Sequence, residues 1–275
     1  SADSANWGAG EPALTTTLRG LVDCVVEVRT LDHGVHSGMY GGVVPDALTT
    51  LCRLLATLHD EQGNVAVAGL VSRAGPDLTY PPARLAAESG ILPGVDYLGA
   101  GSVVERMWTR PACAVLAIDT TAVADASNTL LPTARAKVSL RVAPGDSAAA
   151  ARTALTTHLQ AHAPWGAQVT VIPGDVAEPS SLPDQGPYVD AARSALTEAF
   201  GVPVVTVGQG GSIPLVAELA AAYPDATILV TAVADPDSRA HGADESLGLA
   251  DFRSACQAEA RMLQAFAAVR SGPEQ

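Results

Sequence analysis

The sequence predicts an α/β protein. A ferredoxin-like β-α-β-β-α-β domain over residues 18–180 is set between a short remnant at 1–17 and an α/β half-domain at 181–275, whose sheet is mostly parallel. Three observations predict this. Between 21 and 172 the strand and helix periods of the apolar residues follow each other in the split βαβ order. The stretch 173–187 carries Pro173, Gly174, Pro179, Pro183, Gly186 and Pro187, a composition that marks a domain boundary. Beyond it, helix and strand patterns alternate one for one, the rhythm of an α/β layer.

Residues 21–30 (LVDCVVEVRT) have the β-branched density of a strand. A glycine-rich loop, 33–42, follows. Leu48, Leu51, Leu55 and Leu58 then recur at helical spacing within 45–59, with Pro45 suited to a first turn. The stretch 60–110 is an irregular insert, rich in proline and glycine, with one helical candidate at 102–108. Strands are predicted at 112–118 and 134–142. Asp146 and Ser147 cap an alanine-rich helix to about His162, and 168–172 is a further strand. The last domain reads helix 188–200, strand 204–207, helix 213–222, strand 227–231 and helix 249–269.

Composition narrows the function. A length of 275 residues suits about two domains. With 48% hydrophobic residues there is enough to bury real cores, and no run approaches the ~18 apolar residues of a membrane span. A net charge of −13 leaves no basic stripe for phosphates, which excludes a nucleic-acid partner. All basic residues but Lys137 are arginine, and Ala, Gly and Val are used heavily, as in GC-rich bacterial genomes. Cys24, Cys52, Cys113 and Cys256 form no Cys-x-x-Cys pair, so reduced thiols and a cytoplasmic setting are expected. The chain opens abruptly on Ser1-Ala2-Asp3-Ser4-Ala5-Asn6-Trp7 and reads as a piece of something longer.

Two histidine stretches carry the chemistry. Asp32-His33-Gly34-Val35-His36-Ser37-Gly38 and Ala240-His241-Gly242-Ala243-Asp244-Glu245 place imidazoles among small residues and carboxylates. There the backbone can approach a ligand, and imidazole serves as a metal ligand or a donor to an oxyanion. His241 follows a predicted strand, at the end of an α/β sheet where ligands gather. His59, His158 and His162 fall near helix ends and are expected to be solvated or to face a helix dipole. Gly208-Gln209-Gly210-Gly211-Ser212-Ile213-Pro214 is a strand-to-helix turn offering backbone N–H groups to a carboxylate or oxyanion, and it lacks the Gly-Lys-Ser/Thr ending of a P-loop. Arg141, just ahead of Pro144-Gly145-Asp146, suits a carboxylate clamp as well as a strand-end ion pair.

In this order and spacing, these segments resemble the dinuclear zinc peptidases that include carnosinase, aminoacylase, acetylornithine deacetylase and succinyl-diaminopimelate desuccinylase. The likeness runs along the whole chain but matches only the later portion of such a protein. The Trp7 after Asp3-Ser4-Ala5-Asn6, the Tyr40-Gly41-Gly42 ending and the 60–110 insert resemble the dipeptidase-like branch. The resemblance implies that 1–17 and 181–275 are parts of a catalytic domain and 18–180 a lid that forms a homodimer. It also implies that Asp3 and His241 are metal ligands, with Glu245 following at the usual spacing. His36 would reach a partner's active site to stabilise the oxyanion, and Asn128, Arg141, Gly211 and Ser212 would bind substrate.

The implied activity is hydrolysis of an amide bond next to a free carboxylate in a dipeptide. Two divalent metal ions, zinc or else manganese or cobalt, would serve the complete enzyme. The family's His-x-Asp and Glu-Glu segment is missing from this sequence, so the fragment alone is expected to be inactive and to bind metal poorly. An N-acyl amino-acid deacylase or desuccinylase, and a non-catalytic dimerisation or binding fragment, are the alternatives.

Overall fold

Residues 4–240 and 242–270 are described by the structure, a computed structural model. In chain order the elements are β1 (Ala13–Leu18), β2 (Gly20–Arg29), β3 (Val35–His36), α1 (Ser37–Tyr40), α2 (Ala47–Ala56), α3 (Pro82–Ser89), β4 (Ala112–Asp119), β5 (Thr129–Leu130), β6 (Thr133–Val142), α4 (Ala148–Ala161), β7 (Gln168–Ala177), β8 (Ser180–Ser181), α5 (Pro187–Phe200), β9 (Val205–Gln209), α6 (Pro214–Ala222) and α7 (Leu249–Arg270). They form two compact units. One gathers residues up to Leu18, Gly75–Val95 and the residues from Ser180 onward; the other is Arg19–Ala74 and Asp96–Pro179.

The second unit is a four-stranded antiparallel sheet in the order β4-β6-β2-β7, with α2 and α4 on one face. Strand and helix follow each other as β-α-β-β-α-β, so the ferredoxin-like topology read from periodicity is the one observed. β2 and β6 pair without interruption from Gly20↔Val142 to Arg29↔Thr133. Alternation puts Val22, Cys24, Val26 and Val28 of β2, with Ala134, Ala136, Val138, Leu140 and Val142 of β6, on the helix side. Leu51 and Leu54 of α2 and Leu155 and Leu159 of α4 close that core, all fully buried. Asp46 caps α2, its side chain accepting from Thr49 N–H at 2.9 Å, and Ser147 caps α4 in the same way.

Several sequence expectations need correction. β7 does not stop at 172 but runs through Pro173 and Gly174 to Ala177. It is an edge strand, where a proline removes no obligatory ladder donor, and an irregularity between Val22 and Cys24 absorbs the change of register. Asp23, at that irregularity, accepts from Lys137 Nζ at 2.7 Å and from Asp175 N–H at 3.0 Å. The helix expected at 102–108 ends as a π-turn, Glu105–Thr109, closed by Arg110 N–H to Glu105 C=O at 2.9 Å. His158 is buried rather than solvated, with Nε2 3.0 Å from Thr57 Oγ1 and its ring stacked on His162 at 4.0 Å.

The first unit holds a three-stranded sheet, β8-β1-β9, in which β1 is antiparallel to β8 and parallel to β9. α5 packs along α7 through Ala192, Ala195, Leu196, Ala258 and Met262, as the apolar spacing of both helices requires. The strand expected at 227–231 is reduced to one bridge, Thr15↔Val230. β9 covers one edge of β1 along its length, while β8 takes the other edge at Thr17 and Leu18, so Val230 finds a single place beside Thr15. Within this unit Arg84 of α3 lies between two rings, 4.3 Å from the Trp7 centroid and 5.0 Å from that of Tyr80.

Candidate functional site

His36 and Asn128 are 92 positions apart in sequence and adjacent in space. β3 and β5 pair as Val35↔Leu130 and His36↔Thr129, and Ser37 N–H donates to the Asn128 carbonyl at 2.8 Å. His36 ends β3 and caps α1, its Nδ1 accepting from Gly38 N–H at 3.1 Å. Both side chains are exposed, and the loops that carry them expose apolar groups: Met39 is 74% accessible, Val43 89% and Val123 94%. His33 contacts the carboxylate of its neighbour Asp32 in solvent, a local contact rather than a site.

Arg141 sits at the opposite end of β6. It is eight positions from Thr133, a distance of roughly 27 Å along a strand. The structure therefore groups Asn128 with His36, not with Arg141. Alternation puts Arg141 on the face of the sheet away from α2 and α4, opposite Leu21 of β2 and Ala112 of β4. It is half-buried, and no described residue gives its guanidinium a hydrogen bond or ion pair. Arg19 lies diagonally across from it on the same face. Burial first, then the like charge of Arg141, pushes the Arg19 guanidinium down to about 10. Arg19 also donates through Nη1 to the carbonyls of Arg106 and Arg110 at 3.3 and 3.4 Å. An arginine left unpaired beside a second arginine is a strong anion-seeking arrangement.

The other candidates belong to the first unit. Gly211 and Ser212 lie between the carboxyl end of β9 and α6, whose cap residue Ile213 makes no side-chain cap bond. Asp3 and His241 lie outside the described residues. The segments next to them meet, since Ala5 bridges Ala234 in parallel and Asn6 N–H donates to Ala234 C=O at 2.8 Å. Asp235 and Ser238 then form a capping box that organises the chain leading toward His241. The Asn6 amide nitrogen is buried and has no acceptor among the described residues, while its Oδ1 accepts from Ala13 N–H at 3.2 Å. Among the described residues, no group of three or more His, Cys, Asp or Glu side chains could hold a metal ion.

Sequence reasoning missed two arrangements. One is the contact between the Gly38 amide and the His36 ring, signalled only by a glycine two residues after the histidine. The other is the cluster around Arg84, whose Nε is 2.6 Å from Glu88 while Nη2 donates to the Trp7 carbonyl and the Tyr80 hydroxyl donates to Glu88. The i,i+4 spacing of Arg84 and Glu88 was its signal.

Over 265 residues the chain is 37% identical to a cysteinylglycine-S-conjugate dipeptidase of Corynebacterium striatum, covering 95% of this chain and 58% of that protein. The fold matches the solved structure of a dipeptidase from Saccharomyces cerevisiae with a TM-score of 0.81 and 20% identity, over 99% of this chain and 59% of that one. It matches human carnosine dipeptidase 1 with a TM-score of 0.78 and 18% identity, over 97% of this chain and 58% of that one. The chain thus spans a little over half the length of the relatives it matches. Residues 16–167 match the peptidase dimerisation domain of the M20 peptidases, which is more than half of the chain, and the chain belongs to that family.

Proposed function

We propose that this chain is part of a metal-dependent dipeptidase that cleaves an amide bond next to a free carboxylate. The observation that carries the reading is the unpaired guanidinium of Arg141, half-buried beside Arg19 on one end of the sheet. A planar fork with no internal partner suits a substrate carboxylate. A relative named as a cysteinylglycine-S-conjugate dipeptidase supports a dipeptide as substrate. Four free cysteines are consistent with a cytoplasmic setting, and no helix among the described residues is long and apolar enough to cross a membrane.

The separation of His36 and Asn128 from Arg141 along β6 supports a site built from two copies. Gly211 and Ser212, at the head of α6, offer N–H groups suited to an anionic ligand. One copy supplies Arg141 to orient the carboxylate. Its partner supplies His36, whose Nε2–H donates to the oxygen that gains charge as the amide is attacked, and Asn128 beside it. The exposed Met39 and Val43 after His36, and Val123 ahead of Asn128, suit a tip that is covered in a homodimer. Two divalent ions, zinc first, with Asp3 and His241 among their ligands, belong to the proposal. The described residues assemble no donor set for them. The test is hydrolysis by the natural protein with zinc or manganese. Cleavage of a Cys-Gly conjugate, with its C-terminal amide refused, supports the reading; preference for N-acyl amino acids overturns it in favour of a deacylase.

A further inference from the structure

The His36 ring is held by the backbone two residues later. Gly38 N–H donates to Nδ1 at 3.1 Å. A peptide N–H is always the donor, so Nδ1 must present its lone pair, and in neutral imidazole the proton then sits on Nε2. The same contact makes His36 the cap of α1. The glycine is not required by its backbone, since Gly38 is not among the residues of positive φ. What it leaves is room: a Cβ there would lie 3.0 Å from His36 Cε1 and 3.3 Å from Nδ1, tight enough that the ring would have to shift slightly.

We propose that Gly38 is a positioning residue for His36, its amide fixing the Nε2–H tautomer and its missing side chain leaving the ring in place. This rests on the reading of His36 as an oxyanion donor only for its catalytic consequence. A donor aimed at a developing charge helps only if the proton is on the right nitrogen and the ring does not turn. Gly38 supplies both conditions at once without touching substrate.

The tautomer is read by long-range 1H–15N correlation on the 275-residue chain labelled at histidine, above the ordinary imidazole pKa of about 6.5. His36→Gln identifies the signals. The expected result is a single tautomer, with Nδ1 unprotonated and Nε2 protonated. Gly38→Ala should give mixed tautomers while leaving Tm unchanged or higher, because alanine is the better helix former. In the natural, metal-loaded protein the same variant should lower kcat by about tenfold with KM nearly constant, short of the ~10²–10³ lost when a donor is removed. A protonated Nδ1 in the parent chain overturns the proposal. So does Gly38→Ala with an unchanged tautomer, whatever happens to Tm. If the tautomer behaves as expected but His36→Ala leaves kcat intact, the lock stands and the oxyanion role of His36 fails.

Discussion

Arg84→Ala should destabilise the first unit by about 2–4 kcal/mol, and the structure shows where that energy resides. Four contacts disappear together. The guanidinium is 4.3 Å from Trp7 and 5.0 Å from Tyr80, contacts worth about 0.5–2 kcal/mol when partly desolvated. Its hydrogen bond to the Trp7 carbonyl is charge-assisted, worth about 1.5–3 kcal/mol. Its ion pair with Glu88 at 2.6 Å spans one helical turn with both side chains 23% accessible, so it adds only about 0.3–0.5 kcal/mol. These share one side chain and do not add in full. Trp7 and Tyr80 still meet edge to face at 5.1 Å, which limits the loss. Arg84→Lys keeps the charge but not the planar fork and should lose about half as much. Urea unfolding gives the magnitude, and hydrogen exchange locates it. Protection should fall in residues 4–12 and 80–90 and stay constant in β2 and β6. A midpoint within error of the parent chain, or a loss spread evenly over both units, would refute the argument.

Gly20→Ala should cost about 1–3 kcal/mol, because a Cβ there would lie 2.5 Å from Ala177 O and 2.7 Å from Pro179 N, and backbone cannot step aside as a side chain can; thermal unfolding checks it. His158 links stability to pH. Burial first, then the neighbouring His162, lowers its pKa below the ordinary imidazole value, with the hydrogen bond the ring donates to the Thr57 backbone opposing. The native state then binds fewer protons than the unfolded chain, so this stability is complete above about pH 6.5 and is lost as pH falls below it. Tm should drop from neutral to mildly acid pH, and His158→Gln should flatten that slope.

The second unit was legible because its signals are local and redundant. β2 is dense in β-branched residues, β6 alternates apolar with polar residues, and α2 and α4 carry capped apolar stripes. Where a tertiary neighbour decides, the pattern misleads. The residues at 227–231 have strand propensity, yet β8 leaves them only one pairing position on β1. Pro173 looked like the end of a strand and is an edge residue, a distinction no single-strand pattern contains. His158 sits near a helix end like any solvated histidine, and only the packing of α4 against Thr57 buries it. The candidate residues were recognisable from their motifs, but their grouping was not. Asn128 stands thirteen positions before Arg141 in sequence, while the fold sends the two to opposite ends of β6.

The central claim, that one site draws His36 from one copy and Arg141 from another, is tested by mixing two inactive variants of the natural protein. His36→Ala and Arg141→Ala homodimers each lack one required group at every site. In a hybrid dimer, the copy that keeps Arg141 receives an intact His36 from its partner, so one of its two sites is complete. Random exchange makes half of the dimers hybrids, and dipeptide hydrolysis should return to about a quarter of the parent activity. If His36 and Arg141 serve the same copy, every site in the hybrid still lacks a group. Activity that stays at the level of the separate variants after verified subunit exchange would contradict the account.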